Sequence, residues 1–231
     1  MASDLPKVLA TVQGKTLVEH VLDALCRAGV SHSVVVVGYR AELVKKQLED
    51  RQDVTFVMQN EQRGTGHAVQ VCKAELEKIE GPVLVVAGDS PMIQSETVEQ
   101  IFDYYQQHQP ACIIATLQVA NPDGLGRIVR DEQGAFQAIV EQRDATPEQQ
   151  AINEVNMSTY LFDARQLQSA LVQLNTGNRQ SEYYLTDCPG ILKSDGQQVV
   201  ALDLLKPCEG LSVNTPEQLH EVETVMKRMG Y

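Results

Sequence analysis

No C-x-x-C spacing, no long apolar run and no cluster of basic residues occurs in this 231-residue sequence, and each absence removes a class of function. The five cysteines, Cys26, Cys72, Cys112, Cys188 and Cys208, are scattered and odd in number, so neither a zinc site nor a disulfide framework is expected. They read as reduced, mostly buried thiols of a cytoplasmic protein. Without a long apolar segment or a signal-peptide pattern, neither membrane spanning nor secretion is expected. A net charge of −12 argues against a chain that coats nucleic acid, because counterion release needs clustered lysine and arginine. A small anionic ligand stays possible, since a few local cations and backbone N–H groups suffice to hold a phosphate. Internal repeats and low-complexity stretches are missing as well.

What remains is an alternation of two patterns. K-T-L-V-E-H-V-L-D-A-L-C-R (15–27) places Leu17, Val18, Val21, Leu22 and Leu25 on one helical face, with Gly29 as a stop. S-V-V-V-V-G (33–38) is the β-branched run of a strand buried on both faces. Further helices are expected at 41–50, 67–79 and 95–107, and strands at 54–59, 83–87 and 112–119. Such alternation predicts an α/β protein with a doubly wound, mostly parallel, Rossmann-like sheet. After residue 120 the pattern changes: 126–141 reads as a β-hairpin around a Gln-Gly turn, part of an inserted β-rich lobe. T-P-E-Q-Q (146–150) and T-P-E-Q-L (215–219) each open a helix, with threonine as N-cap and proline at the first position. A single domain over 1–231 is expected, a nucleotide-type α/β core at about 1–120 with a β-rich remainder at about 121–231.

Several stretches carry candidate chemistry. In Q-N-E-Q-R-G-T-G-H-A (59–68), Gly64 and Gly66 let backbone approach a ligand, and the amides of Gln59 and Gln62 can read a base edge. V-L-V-V-A-G-D-S-P-M-I (83–93) ends an apolar strand in Gly-Asp, and the Asp89 carboxylate is a hard oxygen ligand suited to Mg²⁺ carrying nucleotide phosphates. Gly126, Glu141 and Asn156 come from the later lobe and form a polar set that could hold sugar hydroxyls, while S-V-N-T-P-E-Q-L offers Asn214 as a second oxygen ligand.

In their order, S-D-L-P-K-V-L, Q-R-G-T-G-H-A, G-D-S-P-M-I, G-R-I-V-R-D, I-V-E-Q-R-D-A-T, E-V-N, E-Y-Y-L-T-D and V-N-T-P-E-Q-L resemble one family over nearly the whole chain. It is the uridylyltransferase domain of bacterial bifunctional N-acetylglucosamine-1-phosphate uridylyltransferase/glucosamine-1-phosphate acetyltransferase. The resemblance implies attack of N-acetylglucosamine 1-phosphate on the α-phosphorus of UTP, releasing pyrophosphate and forming UDP-N-acetylglucosamine without a covalent enzyme intermediate. It implies that Gln59, Gln62, Gly64 and Thr65 hold the uridine, that Lys7 contacts phosphate, and that Asp89 and Asn214 ligate Mg²⁺. Gly126, Glu141 and Asn156 are implied to hold the amino sugar. The resemblance thus assigns nucleotide binding to the part at about 1–120, and sugar and metal binding to the part at about 121–231. The alternatives are a related nucleotidyltransferase for another sugar phosphate or nucleotide, and a catalytically impaired UDP-sugar-binding module.

The resemblance also sets expectations by its departures. The family places a strand and an L-A-A-G-x-G-T-R-M loop before S-D-L-P-K-V-L, and Met1 falls on the methionine ending that loop. The central strand and the glycine-rich triphosphate cradle are therefore expected to be missing, with weak turnover as the consequence. The strands at 33–38 and 83–87 would then lack a shared partner. The family's C-terminal β-helix, and with it acetyl transfer, is not expected either. Ala87 stands where the family usually has an aromatic or hydrophobic residue, and Met157-Ser158 where it has Thr-Gly.

Overall fold

The computed structural model describes residues 5–231; Ser3 and Asp4 of the S-D-L-P-K-V-L stretch lie outside the described residues. In chain order the elements are β1 (Thr11–Val12), β2 (Lys15–Thr16), α1 (Leu17–Arg27), β3 (Ser33–Val37), α2 (Ala41–Gln47), β4 (Val54–Met58), α3 (Thr65–Gln70), α4 (Lys73–Leu76), β5 (Pro82–Val85) and α5 (Ser95–His108). There follow β6 (Cys112–Gln118), β7 (Gly126–Arg130), β8 (Phe136–Val140), α6 (Pro147–Gln150), β9 (Glu154–Asp163), α7 (Ala164–Leu171), α8 (Asp187–Ser194), β10 (Val199–Asp203) and α9 (Pro216–Met229). Two compact units result, one built from residues 5–60, 87–99 and 206–231, the other from 61–86 and 100–205.

In the first unit, α1 starts two residues later than its apolar periodicity predicts. Lys15 and Thr16 form β2 instead, folded back on β1 through Gln13 (φ 48°) and Gly14 (φ 81°), a two-residue turn of the kind that joins tight hairpins. Thr16 then caps α1: its hydroxyl accepts from the Glu19 amide, and the Glu19 carboxylate accepts from the Thr16 amide at 2.8 Å. The apolar face of α1 delivers Val18 and Leu22 to a core with Leu9, Val37, Val44 and Leu48. Each such side chain contributes about 1.5–3 kcal/mol on full burial. Strands β3 and β4 pair parallel in register from Ser33 with Val54 to Val37 with Met58. Helix α9 begins at the expected T-P-E-Q signal, capped by Thr215, and buries Val222 and Met226 against Val12, Leu17, Met92 and Val213.

The second unit holds a six-stranded sheet in the order β10-β6-β9-β7-β8, with β5 also on β9. The expected α/β class is borne out, and the strand directions are mixed. β10 and β6 are parallel, whereas β9 runs antiparallel to β5, β6 and β7. β6 lines one edge of β9; the other edge is shared by β7 near Asn156 and β5 near Phe162. The core of this sheet is Ile101, Ile113, Leu117, Val155 and Leu161. The 126–141 hairpin forms as expected, and β7 attaches it to β9.

Three expectations need correction. The helix expected over 67–79 is two short helices, because the backbone tightens to an i−3 bond at Cys72 (N to Val69 O, 3.0 Å) before α4 restarts. The strand expected over 83–87 stops at Val85, so Gly88 and Asp89 stand in the turn beyond it. That strand pairs antiparallel with β9 instead of lying in a parallel pair. Among the described residues, β3 pairs only with β4 and β5 only with β9, so each keeps one edge without a strand partner. No helix among the described residues is long and apolar enough to cross a membrane.

Candidate active site

Within the first unit the structure brings Lys7, Asp89 and Asn214 together from three distant chain segments. The Lys7 ammonium forms an ion pair with Asp89 Oδ2 and donates to Asn214 Oδ1 at 2.7 Å. The segments are held by backbone and by a buried carboxylate. The Val213 amide donates to the Asp89 carbonyl at 3.1 Å. Glu209, 4% exposed, accepts from the Gln94 amide (2.9 Å), the Thr97 hydroxyl (2.8 Å) and the Lys206 amide (2.8 Å). Gln94 in turn donates its side-chain amide to the Met92 carbonyl and the Tyr231 hydroxyl. The loop carrying Asp89 and the segment carrying Asn214 are thus tied together by bonds centred on the buried Glu209 carboxylate. Nothing in a single-sequence pattern marks Glu209 or Gln94 for this task.

The two oxygens aimed at Lys7 Nζ also bear on a metal. Carboxylate and amide oxygens are the donors a hard divalent cation takes, and Mg²⁺ uses one or two protein oxygens with the rest from water and phosphate. Asp89 and Asn214 already converge on one cation, so they fit such an ion.

Gln59 stands in the first unit directly after β4, its amide bound to the Val37 carbonyl at 2.8 Å; Gln62, Gly64 and Thr65 belong to the second. There the glycine turn is closed by the E-Y-Y-L-T-D stretch. The Gly66 amide donates to the Tyr183 carbonyl (2.8 Å), the Tyr183 amide to the Arg63 carbonyl (2.9 Å), and the Leu185 amide to Thr65 Oγ1 (3.1 Å). Arg63 lies over the Tyr183 ring at 4.9 Å. Gly64 adopts φ 106°, and a Cβ there would stand 2.5 Å from the Tyr183 carbonyl oxygen. The turn therefore admits only glycine at this position.

The second unit also gathers Gly126, Glu141 and Asn156. Gly126 pairs with Asn156 across β7 and β9, and a Cβ on Gly126 would lie 3.5 Å from Asn156 Cβ and 3.7 Å from Glu141 Oε1. The nearest atom to that Cβ would be Ile139 Cγ2 at 3.1 Å, so the glycine lets an apolar methyl, Asn156 and Glu141 pack closely about it. Asn156 is 6% exposed, and its Oδ1 accepts from the Ser158 amide at 3.2 Å. The β6–β9 register shifts directly after Asn156, so Met157 and Ser158 form a bulge of the kind that re-aims side chains beside sites. Ser158 takes φ 56° there, a conformation costing a non-glycine residue about 1–2 kcal/mol. This is where the sequence departs from the family's Thr-Gly. Burial pushes the Glu141 carboxyl above its ordinary value, partly offset by the Thr186 hydroxyl donating to Oε1 at 3.1 Å. Burial, then Glu141 and Asp144, push Asp187 up as well. Carboxylates crowded this way call for hydroxyl or amide donors and repel phosphate. Thr186 also lines a cavity of 570 Å³ with Gln137, Ile139, Asp187 and Gly190. Thr186 was present in E-Y-Y-L-T-D, but the motif alone assigns it no role. Fully buried Tyr160, whose hydroxyl reaches Asn156 and Ser158, had no sequence signal beyond a strand pattern.

These groupings can be set beside known proteins. A family profile described as nucleotidyl transferase matches residues 1–205. The chain belongs to the nucleotidyl transferase family. It is 43% identical over 228 residues to "Bifunctional protein GlmU" of Streptococcus mutans, covering 99% of this chain and 49% of that protein. The same-named protein of Streptococcus agalactiae is 44% identical over 227 residues, covering 98% and 49%. The resemblance stated from the motifs is thereby borne out, and the chain spans about half the length of the curated relatives it matches. Among solved structures, UDP-glucose pyrophosphorylase complexed with UDP-glucose superposes with a TM-score of 0.77 over 97% of this chain and 91% of that one. At 18% identity this likeness shows the nucleotidyltransferase fold.

Proposed function

We propose that this nucleotidyl transferase makes UDP-N-acetylglucosamine and pyrophosphate from UTP and N-acetylglucosamine 1-phosphate, in the cytoplasm. The observation that carries the reading is the convergence of the Asp89 carboxylate, the Asn214 amide oxygen and the Lys7 ammonium on one point of the first unit. A phosphate oxygen of the sugar phosphate attacks the α-phosphorus of UTP, and the bond to pyrophosphate breaks as the new P–O bond forms. Catalysis of this kind is positioning in line plus neutralisation of charge. A magnesium ion held by Asp89 and Asn214 would supply Lewis-acid charge to the phosphates. Lys7 brings a second positive charge for them. Gln62, with the backbone about Gly64 and Thr65, holds the uridine. Gly126 lets the sugar approach the backbone beside Glu141, which accepts from its hydroxyl or acetamido N–H and is held in place by Thr186. Asn156, oriented by the Ser158 amide and the Tyr160 hydroxyl, faces the same sugar.

The choice of an acetamido sugar rests on the motif resemblance stated from the sequence, supported by the Glu141 carboxylate beside Gly126. The test is Asp89→Asn, which removes the only charged oxygen ligand of the set. Pyrophosphate release should fall at least about a hundredfold, in line with the several kcal/mol of transition-state stabilisation a metal supplies, while the melting temperature stays close to wild type. Unchanged turnover would remove Asp89 from the site.

A further inference from the structure

We propose that the Lys7 ammonium is the resident occupant of the divalent-metal position and that a metal ion enters only by exchanging with it. The inference rests on the reading of Asp89 and Asn214 as metal ligands and deepens it. Both ligand oxygens are engaged by one Nζ atom, through the ion pair to Asp89 and the 2.7 Å bond to Asn214 Oδ1. The rest of the pair's surroundings reinforces this arrangement. The Asn214 backbone N–H donates to Gln218 Oε1 at 2.7 Å, which anchors the residue, and its side-chain NH₂ lies 3.5 Å from Ser212 Oγ with Oδ1 left toward Lys7. The Asp89 side chain is only 19% exposed, against 40% for Lys7, so the anchored partner is the acid and the movable one is the lysine.

A lysine ammonium is a compact point charge with three donors on a flexible stem, and it satisfies the same hard oxygens that a small divalent cation seeks. An ammonium and a divalent ion seated on the same Asp89 Oδ2 and Asn214 Oδ1 would repel each other at close range, so each weakens the hold of the other. The tethered ammonium therefore competes with the metal at a fixed local concentration. Once displaced, it stays near the site as an unpaired cation, free to take a phosphate oxygen. A triphosphate that draws Lys7 away opens the metal position, and a metal that expels Lys7 offers the triphosphate a counter-ion. By linkage each must tighten the other equally. The lysine thus keeps the acidic site neutral and preformed when empty, and makes loading of metal and nucleotide interdependent.

The exchange predicts an effect of unusual sign: deleting a residue from the site should improve metal binding. Manganese(II) serves as the probe, titrated into the protein alone and followed by the electron paramagnetic resonance signal of the free ion. Lys7→Met should bind manganese about fivefold tighter or more, the lower end of ordinary coupling energies, while Lys7→Arg, which keeps the charge, should stay near wild type. Asp89→Asn should lose the site. A Lys7→Met protein that melts like wild type yet binds manganese no tighter overturns the exchange. Lys7→Gln provides a second neutral variant should the methionine disturb folding, and the same absence of tightening overturns the proposal. Manganese binding untouched by Asp89→Asn would instead overturn the underlying metal reading, so the two failures are distinct.

Discussion

Gly64→Ala is the sharpest structural test of how the glycine turn is built. Its new Cβ would stand 2.5 Å from the Tyr183 carbonyl oxygen, 2.9 Å from Glu182 Cβ and 3.0 Å from the Tyr183 nitrogen. Two of these three are backbone atoms, and they cannot rotate aside as a side chain could. The Tyr183 amide is tied to the Arg63 carbonyl at 2.9 Å and its carbonyl to the Gly66 amide at 2.8 Å. Relief requires moving residues 182–184 and weakening both bonds. The strained φ of 106° costs a non-glycine residue about 1–3 kcal/mol, and each weakened hydrogen bond about 0.5–1.5 kcal/mol. At about 2–4 °C per kcal/mol for a chain of this size, the melting temperature should fall by roughly 5–20 °C. Gly196→Ala is the control: its φ is 76°, but no atom lies within 4 Å of the added Cβ, so only the conformational cost remains. Thermal melts followed by circular dichroism compare the two. Equal losses would show that the approach of residues 182–183 to Gly64 does not constrain this turn.

Two further outcomes follow from buried carboxylates. Because burial raises the Glu141 pKa, its protonated form favours the folded state; that contribution is full below the ordinary value of about 4.3 and lost as pH rises through the folded one. Glu141→Gln should therefore melt higher than wild type at pH 7, with the difference shrinking toward pH 4, and should raise KM for the sugar phosphate about tenfold without changing KM for UTP. A melting gain that is constant with pH, or a KM effect on UTP, would contradict this. Glu209→Ala removes the acceptor of two buried donors, Gln94 N–H and the Thr97 hydroxyl, at about 1–3 kcal/mol each, and of the half-buried Lys206 N–H, so melting should drop by roughly 5–15 °C; a change under about 2 °C would mean the carboxylate does not hold the two segments together.

Local chemistry was the legible part of the sequence. Helix α9 follows from Thr215 and Pro216, and the apolar stripe of α1 from the spacing of Leu17 to Leu25, because caps and periodicity act over a few residues. The T-x-x-E box at Thr16 also marked where α1 starts, against the longer helix its stripe predicts. Strand direction was not legible. The antiparallel β9 between β5 and β6 depends on long-range pairing, and its apolar run reads the same either way. The break between α3 and α4 carries no glycine or proline to announce it. For the site, residue types and order pointed to Lys7, Asp89, Asn214, Gly126, Glu141 and Asn156 through resemblance to a family. The partners that orient them, Thr186 on Glu141, Ser158 on Asn156 and Glu209 between two loops, arise only when distant segments meet.

The central claim is a uridylyl transfer to an acetamido sugar phosphate, and a substrate panel tests it most directly. Pyrophosphate release is followed with Mg²⁺ and every pairing of UTP, GTP or ATP with N-acetylglucosamine 1-phosphate or glucose 1-phosphate. The account predicts release that needs both substrates and is fastest for UTP with N-acetylglucosamine 1-phosphate, by about tenfold or more over glucose 1-phosphate, since one buried polar group left unpaired costs about 1–3 kcal/mol. Release that ignores the sugar phosphate, that prefers glucose 1-phosphate or another nucleotide, or that is absent from the panel altogether would contradict it.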